Sequence, residues 1–324
     1  MFRVTVLAAL VLLAGCSRPQ TAPPLRETVY APDAPRFAGD FWNQWGDGRA
    51  ELAGYELTHP RYGQLRSGTA VTVFVTETFS NSLRVKSDPG AHPATDEFPA
   101  MKLNVIKDFQ TGIYDYNTML SAFVALKPVN GRPVGAAVKL SYSGQEWCGH
   151  VWHQLLFDQR SIRSTSHSYF DGEADREQVL DYPPDGLSED ALMLWARGMS
   201  GPILIPGETR DVALLTSLQT AREAHSDLRW TGARLCREKN GRTLTVPAGE
   251  FEVELWTVEV GRRPHRTFYV EKASPHRIVR WESAGGERAE LLGSDRLEYW
   301  KLNGKGGEKE LGRLGLRLRL PRTM

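Results

Sequence analysis

The stretch Ala70-Val71-Thr72-Val73-Phe74-Val75-Thr76-Glu77 decides the fold class of this chain. It is rich in β-branched residues, it partly alternates between apolar and polar positions, and Gly68 stands just before it. This pattern is typical of a β-strand in a sheet that has one face in the core and one face in water. Similar runs recur along the chain, at 101–106, 137–142, 150–157, 251–260, 266–270, 278–282 and 289–292. The chain is therefore predicted to be mainly antiparallel β.

One helix has a clear local signature, near residues 188–198. Ser188 is an N-cap residue, and the acids Glu189 and Asp190 follow it where they would face the positive end of the helix dipole. The helix is predicted to end at Gly198. A second segment, 116–123, has a spacing that fits either a helix or a strand.

The Pro-rich linker at 181–186 is the predicted break between two lobes. Before it lies an N-terminal β lobe, 41–182, and after it a C-terminal β lobe with one helix, 187–324. No repeat of 20 to 50 residues is visible in the sequence.

The first residues form a secretory signal, with Arg3 ahead of an apolar run that is too short to span a bilayer as a helix. The next four residues, Leu13-Ala14-Gly15-Cys16, resemble the lipobox of bacterial lipoproteins. The resemblance implies that the signal peptide 1–15 is removed and that Cys16 carries diacylglycerol and an amide-linked acyl chain such as palmitate. Ser17 in place of Asp implies an outer-membrane location, on the periplasmic face. A plain secretory signal is the alternative.

Residues 16–40 are predicted to be a lipidated cysteine followed by a tether. This segment contains five of the 19 prolines in the chain and almost no apolar periodicity. Such a segment is extended and semi-rigid, so it would hold the folded part away from the membrane.

The composition implies no electrostatic partner. Without residues 1–15 the chain loses only Arg3 and keeps 39 basic and 39 acidic side chains. A basic surface for nucleic acid is therefore not expected. Apolar residues make up 41% of the chain and aromatic residues 10%, which is enough for a large core.

Cys148 and Cys236 remain once Cys16 is lipidated, and in an oxidising periplasm the simplest prediction is a disulfide between them. A free structural cysteine is one alternative. Zinc binding by Cys148, His150 and His153, with Glu146 as a fourth ligand, is another. On a strand, however, His153 would face away from the other three residues. Cys148 could also be a thiol nucleophile, although His150 would lie beyond hydrogen-bond reach along an extended strand.

Two sets of residues resemble known envelope proteins. Five blocks resemble uncharacterised bacterial lipoproteins of about this length, namely 54–57, 61–63, 74–77, 111–114 and 145–149. Some members carry a septum-formation-inhibitor label, but the Ser-x-Ser-Pro-Arg-Arg loop that defines that pyrophosphatase family is missing here. The segments 244–251, 269–271 and 275–280 are similar to domains of unknown function in Gram-negative envelope proteins. That similarity implies a large curved antiparallel sheet or half-barrel, which the predicted break at 181–186 would divide into two β lobes.

No catalytic motif accompanies these features. The sequence has no Gly-x-Ser-x-Gly elbow, P-loop or dinucleotide fingerprint, and no cofactor is expected. The aromatic stretch 41–45 suits a sugar or lipid platform, or a cover for the core. We predict a non-enzymatic membrane-anchored lipoprotein of the cell envelope that binds an apolar ligand or a partner protein. The alternative is a thiol- or zinc-dependent hydrolase centred on Cys148, His150 and His153.

Overall fold

The computed structural model describes residues 36–318. The predicted signal peptide, Cys16 and the tether as far as residue 35 lie outside the described residues. The strands are β1 (Ala50–Arg61), β2 (Gln64–Ser80), β3 (Glu97–Thr111), β4 (Tyr114–Ala125), β5 (Ala137–Glu146), β6 (Gly149–Phe157), β7 (Ser161–Ser168), β8 (Arg176–Asp181), β9 (Gly186–Ser188), β10 (Thr209–Leu215), β11 (Trp230–Arg237), β12 (Arg242–Val246), β13 (Gly249–Val260), β14 (Arg263–Glu271), β15 (Ile278–Ser283) and β16 (Arg288–Leu297). The helices are α1 (Gly39–Trp45), α2 (Leu192–Ala196) and α3 (Leu218–Glu223), with 3-10 turns at Glu189–Ala191, Tyr299–Lys301 and Gly307–Leu314.

All sixteen strands belong to one sheet, in the order β8-β7-β6-β5-β4-β3-β2-β1-β16-β15-β14-β13-β11-β10-β9, with β12 paired to β13. β1 pairs with β2 on one side and with β16 on the other, and so joins the first half of the sheet to the second. The pairs are antiparallel except for the short parallel contact of β9 with β10. The mainly β fold, built as one large curved antiparallel sheet, is therefore confirmed.

The sheet curves until its two ends approach each other. Tyr182, just after the edge strand β8, stacks on Trp230 of β11 with ring centroids 6.2 Å apart. The Trp230 Nε1 donates a hydrogen bond to the Asp181 carbonyl oxygen at 3.0 Å. The predicted linker 181–186 connects these two edges. Segments 41–182 and 187–324 both contribute strands to the single sheet, and their division into lobes stays a prediction.

β2 is buried on both of its faces, although its sequence predicted one wet face. Phe74 packs in the main core, whereas Val73 and Val75 pack with Leu314 in a separate cluster. The C-terminal segment passes so close to β1 that a Cβ at Gly54 would lie 2.3 Å from the Leu314 carbonyl oxygen. This cover is a long-range contact, so local alternation of polar and apolar residues could not predict it.

The helix predicted near 188–198 is present. The Ser188 Oγ accepts the Asp190 backbone N–H at 3.2 Å, which makes Ser188 the predicted N-cap. Gly198 has a φ of 73°, a left-handed conformation that glycine adopts easily and that ends the helix. The ambiguous segment 116–123 lies in β4 and is therefore a strand.

The inner face of the sheet is filled by the chain's own side chains. Trp195 of α2 packs edge-on against Trp256 with ring centroids 5.2 Å apart, and Tyr55 packs in the same way against Trp281 at 4.6 Å. Trp195, Tyr55 and Trp281 are each at most 1% exposed. Within residues 36–318, no helix has the length and apolar character that a membrane span requires.

Candidate functional site

The predicted disulfide between Cys148 and Cys236 is wrong, because both cysteines are free. Cys148 lies in the exposed turn between β5 and β6, whereas Cys236 lies on β11 in register with Thr209 and Thr257. In the strand order, β4 to β1 and β16 to β13 lie between the β5–β6 hairpin and β11. A disulfide requires Cα atoms within about 7 Å, and Cys148 and Cys236 are not placed to form one.

The other predicted roles of Cys148 need residues that the hairpin separates. His150 is exposed, whereas His153 is partly buried and its Nε2 lies 2.8 Å from the Ser164 Oγ. Burial lowers the pKa of His153 to about 4, so this imidazole is neutral at physiological pH. Among residues 36–318, no group of three or more His, Cys, Asp or Glu side chains could hold a metal ion. The structure therefore assembles neither a zinc site nor a thiol–imidazole pair here.

The same hairpin belongs to an exposed apolar rim. Four hairpin turns, those of β1–β2, β3–β4, β5–β6 and β7–β8, lie at one end of the sheet, because each joins two adjacent antiparallel strands of a continuous meander. Each turn presents one large apolar side chain to solvent. These are Tyr62, Ile113, Trp147 and Tyr169, with exposed fractions of 55%, 75%, 60% and 68%. We call these four residues the apolar rim.

The rim is continuous because its side chains contact neighbouring turns. Trp147 packs against Tyr114 of the next hairpin, with ring centroids 6.1 Å apart. A Cβ at Gly149 would lie 2.5 Å from the Tyr169 ring, so Tyr169 covers the β5–β6 turn. Three of the turns have two-residue loops, and in each the large side chain, Tyr62, Ile113 or Trp147, projects beyond the end of the sheet. Such loops place large apolar residues where the sheet cannot bury them.

A chain of hydrogen bonds lies just inside the rim. The Tyr62 and Tyr116 hydroxyl oxygens are 2.6 Å apart, and the Tyr116 hydroxyl donates to Glu146 Oε2 at 2.5 Å. Burial and these bonds raise the pKa of Tyr116 well above its usual value. Glu146 also lies 3.6 Å from the Arg222 guanidinium of α3. Glu146 was proposed from the sequence as a metal ligand, but in the structure it belongs to this series of hydrogen bonds.

Beneath the rim lies a buried charge cluster centred on Glu287. Its carboxylate accepts hydrogen bonds from Lys107 Nζ at 2.7 Å and Trp281 Nε1 at 2.8 Å, and lies 2.9 Å from His59 Nδ1. Burial alone would raise the pKa of Glu287, but the charge of Lys107 and the bond to His59 outweigh it and hold the pKa well below its usual range.

His59 connects the buried Glu287 to Glu223, a residue that is partly exposed to solvent. Its Nε2 lies 3.1 Å from Glu223 of α3, whose side chain is about one quarter exposed. Burial lowers the pKa of His59, but its bonds to Glu223 and Glu287 raise it further, so the net shift is upward. We call Lys107, His59, Glu287 and Glu223 the charge cluster.

A small polar chamber lies next to the charge cluster. It has a volume of about 50 Å³ and is lined by Lys107, Glu287, Glu189, Asp190 and Arg266 among other residues. A buried water needs about 10–15 Å³, so the chamber has room for a few waters. Ligand pockets for small molecules are commonly 300–1,000 Å³. The chamber is therefore too small for most substrates.

Glu189 and Asp190 do not simply face the dipole of their own helix, as the sequence suggested. Glu189 Oε2 accepts the Ser217 N–H and Asp190 Oδ2 accepts the Leu218 N–H, each at 2.9 Å. The two acids thus hold the start of α3, and His265 forms a short hydrogen bond to Glu189. Burial raises the pKa of Asp190 to about 6.

The sequence contained a signal for the charge cluster. Lys107 stands between Val105 and Phe109 at the inward positions of β3, where a charged side chain requires a partner. That partner, Glu287, lies 180 residues further along the chain. No local pattern could pair the two residues.

The strand pairing defines this chain as a mainly β protein built on one large, open, curved sheet of sixteen strands, with the short helix α2 packed against it. No protein-family model matches the chain, and no curated protein matches it. A solved structure of a beta-barrel-like protein of the domain of unknown function DUF1849 from Brucella abortus is similar over 77% of this chain and 98% of that chain. Its sequence identity is 10% and its TM-score is 0.42. The fold class of this chain therefore rests on its own strand pairing.

Proposed function

We propose that this protein is a non-enzymatic lipoprotein, anchored to the outer membrane through Cys16, that docks a partner protein of the cell envelope on its apolar rim. The lipobox and the resemblance of its five sequence blocks to bacterial lipoproteins support the anchor. The observation that carries the docking role is the rim, where four adjacent hairpins expose four large apolar side chains. Exposed apolar residues grouped in this way mark interaction sites.

The filled interior supports a partner protein over an apolar ligand. A carrier of acyl chains would need an open hollow inside the sheet, and Trp195, Tyr55 and Trp281 occupy that space. The polar chamber of about 50 Å³ is lined by charged groups, which would be costly to desolvate against a hydrocarbon chain.

The rim also has the composition of a docking surface. Tyr and Trp are enriched in the energetically dominant parts of protein interfaces, because they combine a large apolar area with a polar group. Tyr62 is held from below by its hydroxyl contact with Tyr116 and by Arg61, whose guanidinium carbon lies 4.3 Å from the Tyr62 ring centroid. A rim that is fixed before binding loses less conformational entropy when it docks.

The anchor is tested by cell fractionation. We expect Cys16→Ala to move the protein from the outer-membrane fraction to the soluble periplasm, because several acyl chains give nearly permanent anchoring and none would remain. Cys236→Ala makes the same chemical change at a free cysteine of the fold and should stay in the membrane fraction. An unchanged distribution of Cys16→Ala would contradict the anchor.

Docking on the rim is tested by photo-crosslinking in living cells. A photoreactive residue at position 147 should form a discrete adduct with one envelope protein, and Tyr169→Ser should reduce its yield about tenfold. Leu83, which is 62% exposed in the β2–β3 loop at the opposite end of the sheet, gives the matched control position. Position 83 should give no such adduct. The rim is not the docking surface if the two positions give the same adducts, or if Tyr169→Ser leaves the yield from position 147 unchanged.

A further inference from the structure

We propose that a second surface, at the opposite end of the sheet from the rim, contacts the lipid bilayer that holds the anchor. This lipid-contact patch consists of Trp42, Ile203, Ile205 and Lys239. The proposal rests on the lipid anchor of the proposed function, and it adds how the folded part sits against the membrane.

The patch lies near the place where the tether enters the fold. Arg36 is the first described residue, and its guanidinium donates to the carbonyl oxygens of Gly198, Ser200 and Gly201 at 2.8, 2.5 and 2.8 Å. These bonds fix the entry point beside the segment that leads into the loop 202–207. Trp42 follows in α1 and is 37% exposed.

The loop 202–207 is built to present two isoleucines to solvent. Leu204 is fully buried, and its carbonyl oxygen accepts a hydrogen bond from Arg237 Nη1 at 2.8 Å. Because Leu204 points inward, its neighbours Ile203 and Ile205 point outward, with exposed fractions of 48% and 68%. The Gly207 N–H donates to the Arg237 carbonyl oxygen at 2.9 Å, which holds the end of the loop against β11.

The chemistry of the patch matches a membrane interface. Tryptophan prefers the headgroup region, aliphatic side chains enter the boundary of the acyl chains, and lysine attracts anionic headgroups. Lys239 is exposed next to this loop, since a Cβ at Gly207 would lie 3.6 Å from the Lys239 Cβ.

The length of the chain outside the described residues favours the membrane as the occupant. The 20 residues from Cys16 to Arg36 reach about 60 Å at about 3.1 Å per residue, so the anchor confines the patch to about this distance from the bilayer and leaves contact within reach. Such tethering raises the effective concentration of a weak second contact. A patch too small to bind a membrane alone at low lipid concentration can therefore still orient the anchored protein.

Vesicle binding by a chain that cannot be acylated tests the patch. The mature chain with Cys16→Ser is mixed with sucrose-loaded vesicles of phosphatidylethanolamine and phosphatidylglycerol, and the bound fraction is measured by sedimentation over a lipid titration. We expect weak but measurable partitioning, which the double variant Ile203→Ser/Ile205→Ser reduces about tenfold. Thermal unfolding of each variant shows that the fold is intact.

The matched control is Leu65→Ser/Val179→Ser, which removes two aliphatic side chains that are 65% and 72% exposed and belong to neither the patch nor the rim. This variant should partition like the parent. The proposal is overturned if the parent does not bind vesicles, if the patch variant binds as well as the parent, or if only the control variant loses binding. Because no acyl chain is present, these outcomes are independent of the Cys16→Ala fractionation.

Discussion

Lys107→Met is expected to lower the free energy of unfolding by about 3–5 kcal/mol at neutral pH. Lys107 Nζ lies 2.7 Å from Glu287 Oε2, and both side chains are more than nine-tenths buried. Methionine fills a similar volume but carries no charge, so Glu287 would keep a buried carboxylate without its closest full cation. Urea unfolding of the two proteins measures the difference.

Two comparisons show whether the effect comes from the buried charge. Lys107→Met/Glu287→Gln should recover part of the loss, because the uncompensated carboxylate is gone. Arg234→Met removes the cation of an ion pair with Asp211, at 2.9 Å, in which both side chains are well exposed, and should cost less than about 1 kcal/mol. A cost for Lys107→Met as small as that of Arg234→Met would contradict a charge cluster that depends on Lys107.

The apolar rim and the lipid-contact patch lie at opposite ends of the sheet. β1 has 12 residues, or about 40 Å along the strand, and runs from the tether end to the rim end. If both proposals hold, the sheet spans the distance between the membrane and the docked partner. The charge cluster lies beneath the rim, where Glu223 of α3 contacts His59 at the end of β1. Its rigidity would keep α3 and the β1–β2 turn in fixed positions while the rim engages a partner.

The sequence predicted those parts of the fold that local chemistry determines. The β-branched run at 70–77 lies in β2, and the Ser188 side chain caps its helix as its position predicted. The wet face expected for β2 was wrong because Leu314, some 240 residues later, covers Val73 and Val75. Local patterns report backbone preference well, but they do not report which distant segment covers a surface.

The candidate site was less predictable for the same reason. Cysteine count and compartment favoured a disulfide, but the fold leaves Cys148 in a hairpin turn and Cys236 on β11, both free. The rim residues Tyr62, Ile113 and Trp147 were visible in the sequence, yet their grouping requires the hairpin register, which brings the turns to one end. Register depends on pairing between strands, and a single sequence does not show it.

Asp190→Asn is expected to stabilise the protein at neutral pH by about 1–3 kcal/mol, although it removes a charged residue from a hydrogen-bonded position. Burial raises the pKa of Asp190 from 3.8 to about 6, so at neutral pH folding must place an ionised carboxylate in the interior. Asparagine keeps an oxygen that can accept the Leu218 N–H at the start of α3. Its amide nitrogen would replace Oδ1, which has no hydrogen-bond partner among the described residues.

The stabilisation expected from Asp190→Asn depends on pH. A carboxyl whose folded pKa is raised binds its proton more tightly in the folded state, so its ionisation costs stability as pH rises from about 4 to above 6 and costs little below that window. The gain from Asp190→Asn should therefore be large at pH 7.5 and fall below about 1 kcal/mol at pH 4, as measured by urea unfolding at both values. Asp185→Asn makes the same change at an exposed loop position and should alter stability little at either pH. Glu287, whose pKa is lowered, has the opposite linkage and weakens both proteins in acid, so only the difference between variant and parent reports on Asp190. A gain that is equal at the two pH values would mean that folding does not shift the pKa of Asp190, which would contradict the prediction.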